Sequence, residues 1–141
     1  MNNNYEQLYL INLALRLSGA FPARSIVAVE LSNWLETVDL GFDWAPRSEN
    51  LFSKGVDAQL WTELQSNLRA QSRLIPDCSS DLLGSNTAAL GTYVGLNEAE
   101  QQIFELTVRT AQAGPVRYLY NILNKDARIP ADDAVKYLTG L

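Results

Sequence analysis

The sequence contains no histidine and a single cysteine, Cys78, among its 141 residues. Without histidine the commonest general base and the usual catalytic triads are missing, and with only one thiol most transition-metal sites are excluded too. One cysteine cannot form an internal disulfide. Its neighbours Asp77 and Asp81 are acidic and disfavour the thiolate that nucleophilic catalysis needs. We therefore expect no catalytic residue, no metal site and no cofactor in this chain.

Lysine is scarce and positive charge is dispersed. The three lysines are Lys54, Lys125 and Lys136, and no Gly-Lys-Ser/Thr phosphate loop occurs. Eleven basic residues against sixteen acidic ones give a net charge of -5, and we expect the basic residues to lie on solvated helix faces. Because such a surface repels phosphate backbones and anionic lipid, neither nucleic acid nor a membrane is an expected partner.

Long hydrophobic runs are also missing. The most apolar early stretch, residues 8–17, is about half the length of the roughly twenty residues that cross a bilayer, and it contains Asn12 and Arg16. The first residues lack the basic segment of a secretory signal, and a lone cysteine suits a reducing compartment. These observations predict a cytoplasmic protein.

What the sequence does contain is helical periodicity. Residues 5–18 are apolar almost all round, which is typical of a central helix covered by others. Stripes at helical spacing follow in residues 57–74 and 116–123. Boundary signals accompany them, namely Asp57 as an N-cap, Asn97 with Glu100 as a capping box, Gly114-Pro115 and Gly140.

Other segments are less clear. Residues 24–38 fit a helix, although residues 25–31 could also form a strand; we favour the helix because no partner strand is evident. Leu82 to Val94 is weakly helical and interrupted by Gly84 and Gly91. In the helix that follows, one face is expected to point inward, formed by Ile103, Phe104, Val108 and Ala111.

These patterns predict an all-α fold, an irregular bundle of six to eight helices. Residues 1–141 form a single helical domain, with a candidate boundary between two loosely joined halves near residues 76–96. The residues expected in the core are Leu15, Leu31, Leu64, Phe104, Leu119 and Leu123.

Two groups of residues are candidates for contact with a protein partner or an adjoining domain. The connection over residues 39–55 is too long for a simple link. Aromatic and arginine side chains there are favoured interface anchors, although Trp44 could instead cover the core. The second group lies away from the apolar stripe after Pro115. The candidate partner-binding residues are Phe42, Trp44, Arg47, Phe52, Arg117 and Tyr118.

The last third of the chain carries two short motifs. One is Gly95-Leu96-Asn97 with Glu100 at a helix start, and the other is the closing Leu138-Thr139-Gly140-Leu141. Through these two motifs, residues 90–141 resemble the helical region that precedes the ATPase module in some bacterial AAA+ ATPases. The resemblance implies a regulatory or partner-contacting extension, although the ATPase motifs themselves are missing from this chain.

The leading hypothesis is a non-catalytic helical protein-interaction domain, the N-terminal regulatory extension of an AAA+ ATPase. A freestanding small acidic inhibitor or accessory protein of a phage or mobile element is the alternative. A helix-turn-helix DNA-binding protein built from residues 98–138 is a third reading, which the charge balance disfavours. A carboxylate-dependent enzyme would need a set of paired acids, and the acidic pairs here stand at helix starts, where capping explains them.

Overall fold

The computed structural model describes residues 4–38, 40, 51–52, 55–74 and 81–141. Within them the chain forms seven α-helices, one π-helical turn and one minimal β-hairpin, which confirms the predicted all-α fold and the range of six to eight helices. The helices and strands are α1 (Asn4–Ala20), α2 (Ile26–Thr37), β1 (Leu51–Phe52), β2 (Gly55–Val56), α3 (Ala58–Leu74), α4 (Leu82–Val94), α5 (Glu98–Gln112), α6 (Gly114–Asn121), the π-turn (Ile122–Asp126) and α7 (Ala131–Thr139).

Helix α1 lies at the centre of the bundle. It packs against α3, α7 and α2, and it buries residues on several sides: Leu10, Ile11, Leu13, Ala14 and Leu17. Burial on several sides is the expected outcome for a helix that is apolar almost all round.

Residues 26–31 lie in α2 and Ser25 is the N-cap of that helix, so the strand alternative is wrong. Ser25 caps α2 by accepting a hydrogen bond from the Ala28 N–H at 3.1 Å. Trp34 is fully buried, and its indole N–H donates to the Pro115 carbonyl at 3.0 Å. This bond satisfies the one polar atom of the indole and attaches α2 to the start of α6.

The β-hairpin was not predicted from the sequence. Its two strands pair antiparallel, with Leu51 opposite Val56 and Phe52 opposite Gly55. The Val56 N–H donates to the Ala23 carbonyl at 2.8 Å, and the Val56 side chain joins the core. The end of the long connection is therefore fastened to the segment before α2.

The predicted boundary signals are confirmed. The Asp57 carboxylate accepts from the N–H groups of Gln59 and Leu60 at the start of α3. Asn97 and Glu100 form both bonds of a capping box, and Gly140 ends α7 in the left-handed conformation with φ +75°.

Helix α4 differs from the prediction, because Gly84 and Gly91 do not interrupt it. Both glycines are buried within one continuous helix. The reason is tertiary: both positions are buried, and Gly91 faces α5, where a Cβ atom would meet the side chain of Gln101.

The inward face predicted for α5 is only partly right, since Phe104 and Val108 are half-buried. Ile103 and Ala111 are exposed, and the buried positions are Leu106 and Arg109. Helix α5 packs against α4, α6 and α7. Its buried side is therefore decided by three neighbours rather than by its own apolar residues.

Four of the six predicted core residues, Leu31, Leu64, Leu119 and Leu123, are fully buried. Leu15 is partly buried against the core, and Phe104 is half-buried. The buried apolar residues form one cluster to which every described helix except α4 contributes. Residues 75–80 lie outside the described residues, and the candidate boundary near residues 76–96 stays a prediction.

Candidate interaction surface

Helix α4 touches the rest of the bundle through a narrow face of small residues. Gly84, Thr87 and Gly91 are its buried positions, at helical spacing. A Cβ atom added at Gly91 would lie 1.6 Å from Oε1 of Gln101 on α5. The helix therefore lies close against α5. Leu83 is half-buried, and the other large side chains of α4 are on the outside.

Those larger side chains are apolar and point into solvent. The exposed fractions are 77% for Leu82, 51% for Leu90, 87% for Tyr93 and 58% for Val94. Leu82 and Tyr93 are eleven positions apart, about three helical turns, so both project directly away from α5. We call these four residues the α4 apolar surface.

No charged residue interrupts this surface. Residues 82–97 form the longest stretch of the sequence without Asp, Glu, Lys or Arg. Surface helices of soluble proteins normally carry a charged outer face. Helix α4 has none, and the polar side chains on its exposed side, Ser85, Asn86 and Thr92, are uncharged.

The exposed charges of the hairpin formed by α4 and α5 are of one sign. The hairpin formed by α4 and α5, residues 82–112, contains the acids Glu98, Glu100 and Glu105 and a single basic residue, Arg109. Glu98 and Glu100 are exposed at the start of α5, and Glu105 is half-buried. Since Arg109 is buried, every exposed charge on the hairpin is negative.

The burial of Arg109 corrects the expectation that the basic residues lie on solvated faces. Its side chain is 2% exposed and makes two hydrogen bonds to the Asp81 carboxylate, at 2.7 and 3.1 Å. Its guanidinium carbon lies 4.5 Å from the ring centre of Tyr9 and 5.2 Å from that of Tyr5. The charge is therefore paired and also stacked against aromatic faces, which offsets the cost of removing it from water.

This ion pair holds the first turn of α4 in place. Asp81 is the N-cap of α4 and accepts the Gly84 N–H at 2.8 Å. Burial alone would raise the pKa of Asp81. The hydrogen bonds from Arg109 and Gly84, with the attraction of the guanidinium, instead hold that pKa below its usual value. One carboxylate thus caps α4 and joins it to α5.

The same cluster of charged and aromatic side chains also shifts the pKa values of Arg109 and Tyr9. Burial disfavours the charged form of Arg109, but the hydrogen bond to Asp81 and the attraction of Asp81 and Glu105 raise its pKa above the ordinary value. Burial, together with repulsion from Glu105, raises the pKa of Tyr9. The Tyr5 hydroxyl donates to Glu105 at 3.1 Å, and Arg109 Nε lies 3.8 Å from that carboxylate. The cluster is a structural tie between α1, α5 and the start of α4.

A polar cavity of about 220 Å³ opens beside this cluster, between α1, α5 and α7. Its charged groups are engaged within the chain. Arg16 donates to the Leu138 carbonyl at 2.8 Å, and Glu105 accepts from Tyr5. Among the described residues there is also no group of three or more Cys, Asp or Glu side chains placed to hold a metal ion. The cavity therefore provides no argument for a particular ligand.

The residues predicted to bind a partner are only partly described. Phe42, Trp44 and Arg47 lie outside the described residues, and only the backbone of Phe52 is described, in β1. Their role as a partner site stays a prediction.

Arg117 and Tyr118 are exposed on α6, as expected. Arg117 donates to the carbonyls of Thr110 and Ala111, at 3.1 and 2.6 Å, and so caps the end of α5. Tyr118 is 42% exposed, and its pKa is raised by burial and by the acids Glu30 and Asp126. These two residues lie on a different helix from the α4 apolar surface, and their contact with a partner stays a prediction.

Neither the α4 apolar surface nor the Arg109 cluster was predicted from the sequence. The first had a signal, because residues 82–97 are uncharged in a chain with charges elsewhere. The pairing of Arg109 with Asp81 had none, because the two residues are 28 positions apart and meet only when α4 folds back on α5.

Comparison of the chain with protein-family models, with curated proteins and with solved structures finds no match. None of the described helices combines the length and the apolar character needed to cross a bilayer. The arguments for function therefore rest on the geometry of the α4 apolar surface and the charges around it.

Proposed function

We propose that this chain is a non-catalytic helical protein-interaction domain that binds its partner through the α4 apolar surface. The observation that carries the proposal is an uncharged helix with four exposed apolar side chains, held on the outside of a bundle whose core it does not enter. Contiguous exposed apolar side chains mark interaction sites in soluble proteins, and an exposed tyrosine is a favoured anchor.

The way α4 is held supports this reading. The Asp81–Arg109 pair fastens its first turn, Gly91 packs closely on α5, and the Asn97 capping box begins the next helix just beyond its end. A surface that is already ordered loses little conformational entropy when a partner binds. The exposed apolar residues of α4 are therefore presented on a stiff support.

A finer proposal names the setting of this domain. The resemblance of residues 90–141 to the region before some AAA+ ATPase modules favours a regulatory extension of such an enzyme. A freestanding acidic inhibitor or accessory protein of a phage or mobile element is the alternative. Both settings are cytoplasmic. A native reading frame that continues past Leu141 into a phosphate loop would favour the first, and a stop codon there would favour the second.

The experiment that tests the proposal places a photo-reactive phenylalanine analogue at Tyr93 of the full chain, in cells of the source. The matched control carries the analogue at Asn67, an exposed position on α3. We expect one discrete adduct with another protein from position 93 and none from position 67. The adduct is identified by mass spectrometry, and its protein is purified for direct binding measurements.

The purified partner then allows a quantitative prediction. The double change Leu90→Gln and Tyr93→Gln should weaken binding by about 2 kcal/mol or more, because it removes the anchors. The free energy of unfolding should change by no more than about 0.5 kcal/mol, since both side chains are exposed and glutamine is a good helix former. Calorimetric titration and chemical denaturation provide the two values. Unchanged affinity would show that the partner binds elsewhere.

A further inference from the structure

We infer that the segment bound by the α4 apolar surface is an amphipathic helix whose apolar stripe is flanked by lysine or arginine. The inference rests on the proposed function and adds the chemistry of the partner. Three observations carry it: the shape of the surface, the sign of the charges beside it, and the area it offers.

The shape points to a helix. Every residue of the surface belongs to α4, and the backbone N–H and C=O groups in the interior of a helix are already paired with one another. An extended peptide that binds by adding a strand finds no free backbone edge there. Leu82, Leu90 and Val94 instead lie on one i, i+4 row that also contains Asn86. The apolar stripe of a second helix can pack against this row and the neighbouring Tyr93.

The charges point to a basic partner. The turn at Gly95 leads into the first turn of α5, where Glu98 and Glu100 are exposed four and six residues after Val94, the last residue of α4. The C-terminal end of α4 adds the partial negative charge of a helix terminus. No exposed basic residue of the hairpin compensates, because its one arginine is buried against Asp81. A partner helix with lysine or arginine next to its apolar stripe therefore complements both parts of the surface.

The same charges disfavour a second copy of the chain as the occupant. A second copy would bring another acidic hairpin, and each chain has a net charge of -5. In addition, α4 is about 20 Å long and about 10 Å wide. That area is small against the roughly 800 Å² per partner of a standard stable interface. A single short helix matches the available area better than another whole domain does.

Two designed peptides test the inference. Both are helices of about 18 residues with the same leucine stripe at i, i+3, i+4 and i+7. One carries lysine at all other positions and the second carries glutamate. Each is labelled with fluorescein and titrated with the full chain while fluorescence anisotropy is recorded. We expect the lysine peptide to bind at least about ten-fold more tightly than the glutamate peptide, with a preference that shrinks as salt is added.

Two variants of the chain separate the apolar and the charged contributions. Leu90→Gln with Tyr93→Gln should weaken binding of the lysine peptide by at least about ten-fold. Glu98→Gln with Glu100→Gln should reduce the preference between the peptides to about three-fold or less. Glutamine at position 100 can keep the capping box with Asn97, so the second variant removes charge and leaves the helix start intact.

Several results would overturn the inference. They are equal affinity for the two peptides, no binding of the lysine peptide, and binding that survives the change at Leu90 and Tyr93. A concentration-dependent dimer that this change abolishes, seen by analytical ultracentrifugation, would make a second copy the occupant. If position 93 cross-links a protein but the peptides bind alike, the proposed function stands and only the inference fails. If position 93 cross-links no protein, the proposed function itself fails.

Discussion

At the scale of single residues, the most consequential feature is the burial of Arg109. A buried charge is tolerated only when it is paired and hydrogen-bonded, and Asp81 supplies that pairing with two bonds. Because Asp81 also caps α4, one carboxylate joins the start of α4 to α5.

Replacing Asp81 with asparagine tests this dependence. The amide can still cap α4, but Arg109 loses the negative charge that balances it, so the free energy of unfolding should fall by about 3 kcal/mol. Asp57→Asn is the matched control, because Asp57 caps α3 and makes no ion pair in the described structure. The control should lose less than about 0.5 kcal/mol. Chemical denaturation measures the free energy of unfolding of both variants. Equal losses would show that Asp81 acts only as a helix cap.

The effect of Asp81→Asn should also depend on pH. The pKa of Asp81 is lower in the folded chain than its usual 3.8. The carboxylate therefore stabilises the fold above the unfolded pKa, and this contribution is lost as the pH falls through the folded pKa. The stability difference between wild type and Asp81→Asn should be largest above about pH 5 and shrink below pH 3.8. A difference that stays constant over this range would contradict the ionic role.

At the scale of secondary-structure elements, two glycines decide how neighbours approach. Gly91 lets α4 lie against α5, and Gly55 lets β2 lie against the segment before α2. A Cβ atom at Gly55 would come within 2.6 Å of the Arg24 Cα and 2.7 Å of the Ala23 carbonyl oxygen. Both atoms belong to the backbone, so they cannot move aside as the end of a side chain can.

Gly55→Ala should therefore lower the free energy of unfolding by about 2 kcal/mol or more, because the backbone has to shift and φ is +154°. Gly114→Ala is the control. A Cβ there meets nothing within 4 Å, and φ is not in the left-handed region. The control should leave stability unchanged or raise it by up to about 1 kcal/mol. Thermal unfolding followed by circular dichroism compares the two, and a small effect at Gly55 would mean that the hairpin is not held as described.

At the scale of the whole molecule, net charge decides which partners can approach. A chain with a charge of -5, whose most apolar helix ends at exposed glutamates, repels the phosphates of duplex DNA. We expect no binding of a labelled duplex at physiological salt in an anisotropy titration. Sub-micromolar binding that weakens with salt would restore the helix-turn-helix reading of residues 98–138.

Much of the fold could be predicted from the sequence because local chemistry decides it. Asp57, Asn97 with Glu100, and Gly140 act on backbone groups within a few residues, so their roles are visible without a fold. The stripe over residues 116–123 is similarly local, since Val116, Leu119 and Leu123 share one helix face and are all buried.

The candidate site could not be predicted in the same way. The buried face of α5 is decided by α4, α6 and α7 packing around it, which is why Arg109 lies inside while Ile103 lies outside. The uncharged stretch of residues 82–97 is a sequence feature, but a buried helix would have the same composition. Only the tertiary structure, in which Gly91 packs against α5, shows that Leu82, Leu90 and Tyr93 face solvent.

The sequence by itself determined the all-α class, the helix boundaries and the negative charge, because capping, periodicity and composition are local or additive properties. The tertiary structure alone decided which sides of α4 and α5 are covered. It paired Asp81 with Arg109 across 28 positions and left the α4 apolar surface uncovered. The physical reason is that burial depends on which elements pack together, and that choice depends on the shape and charge of the whole chain.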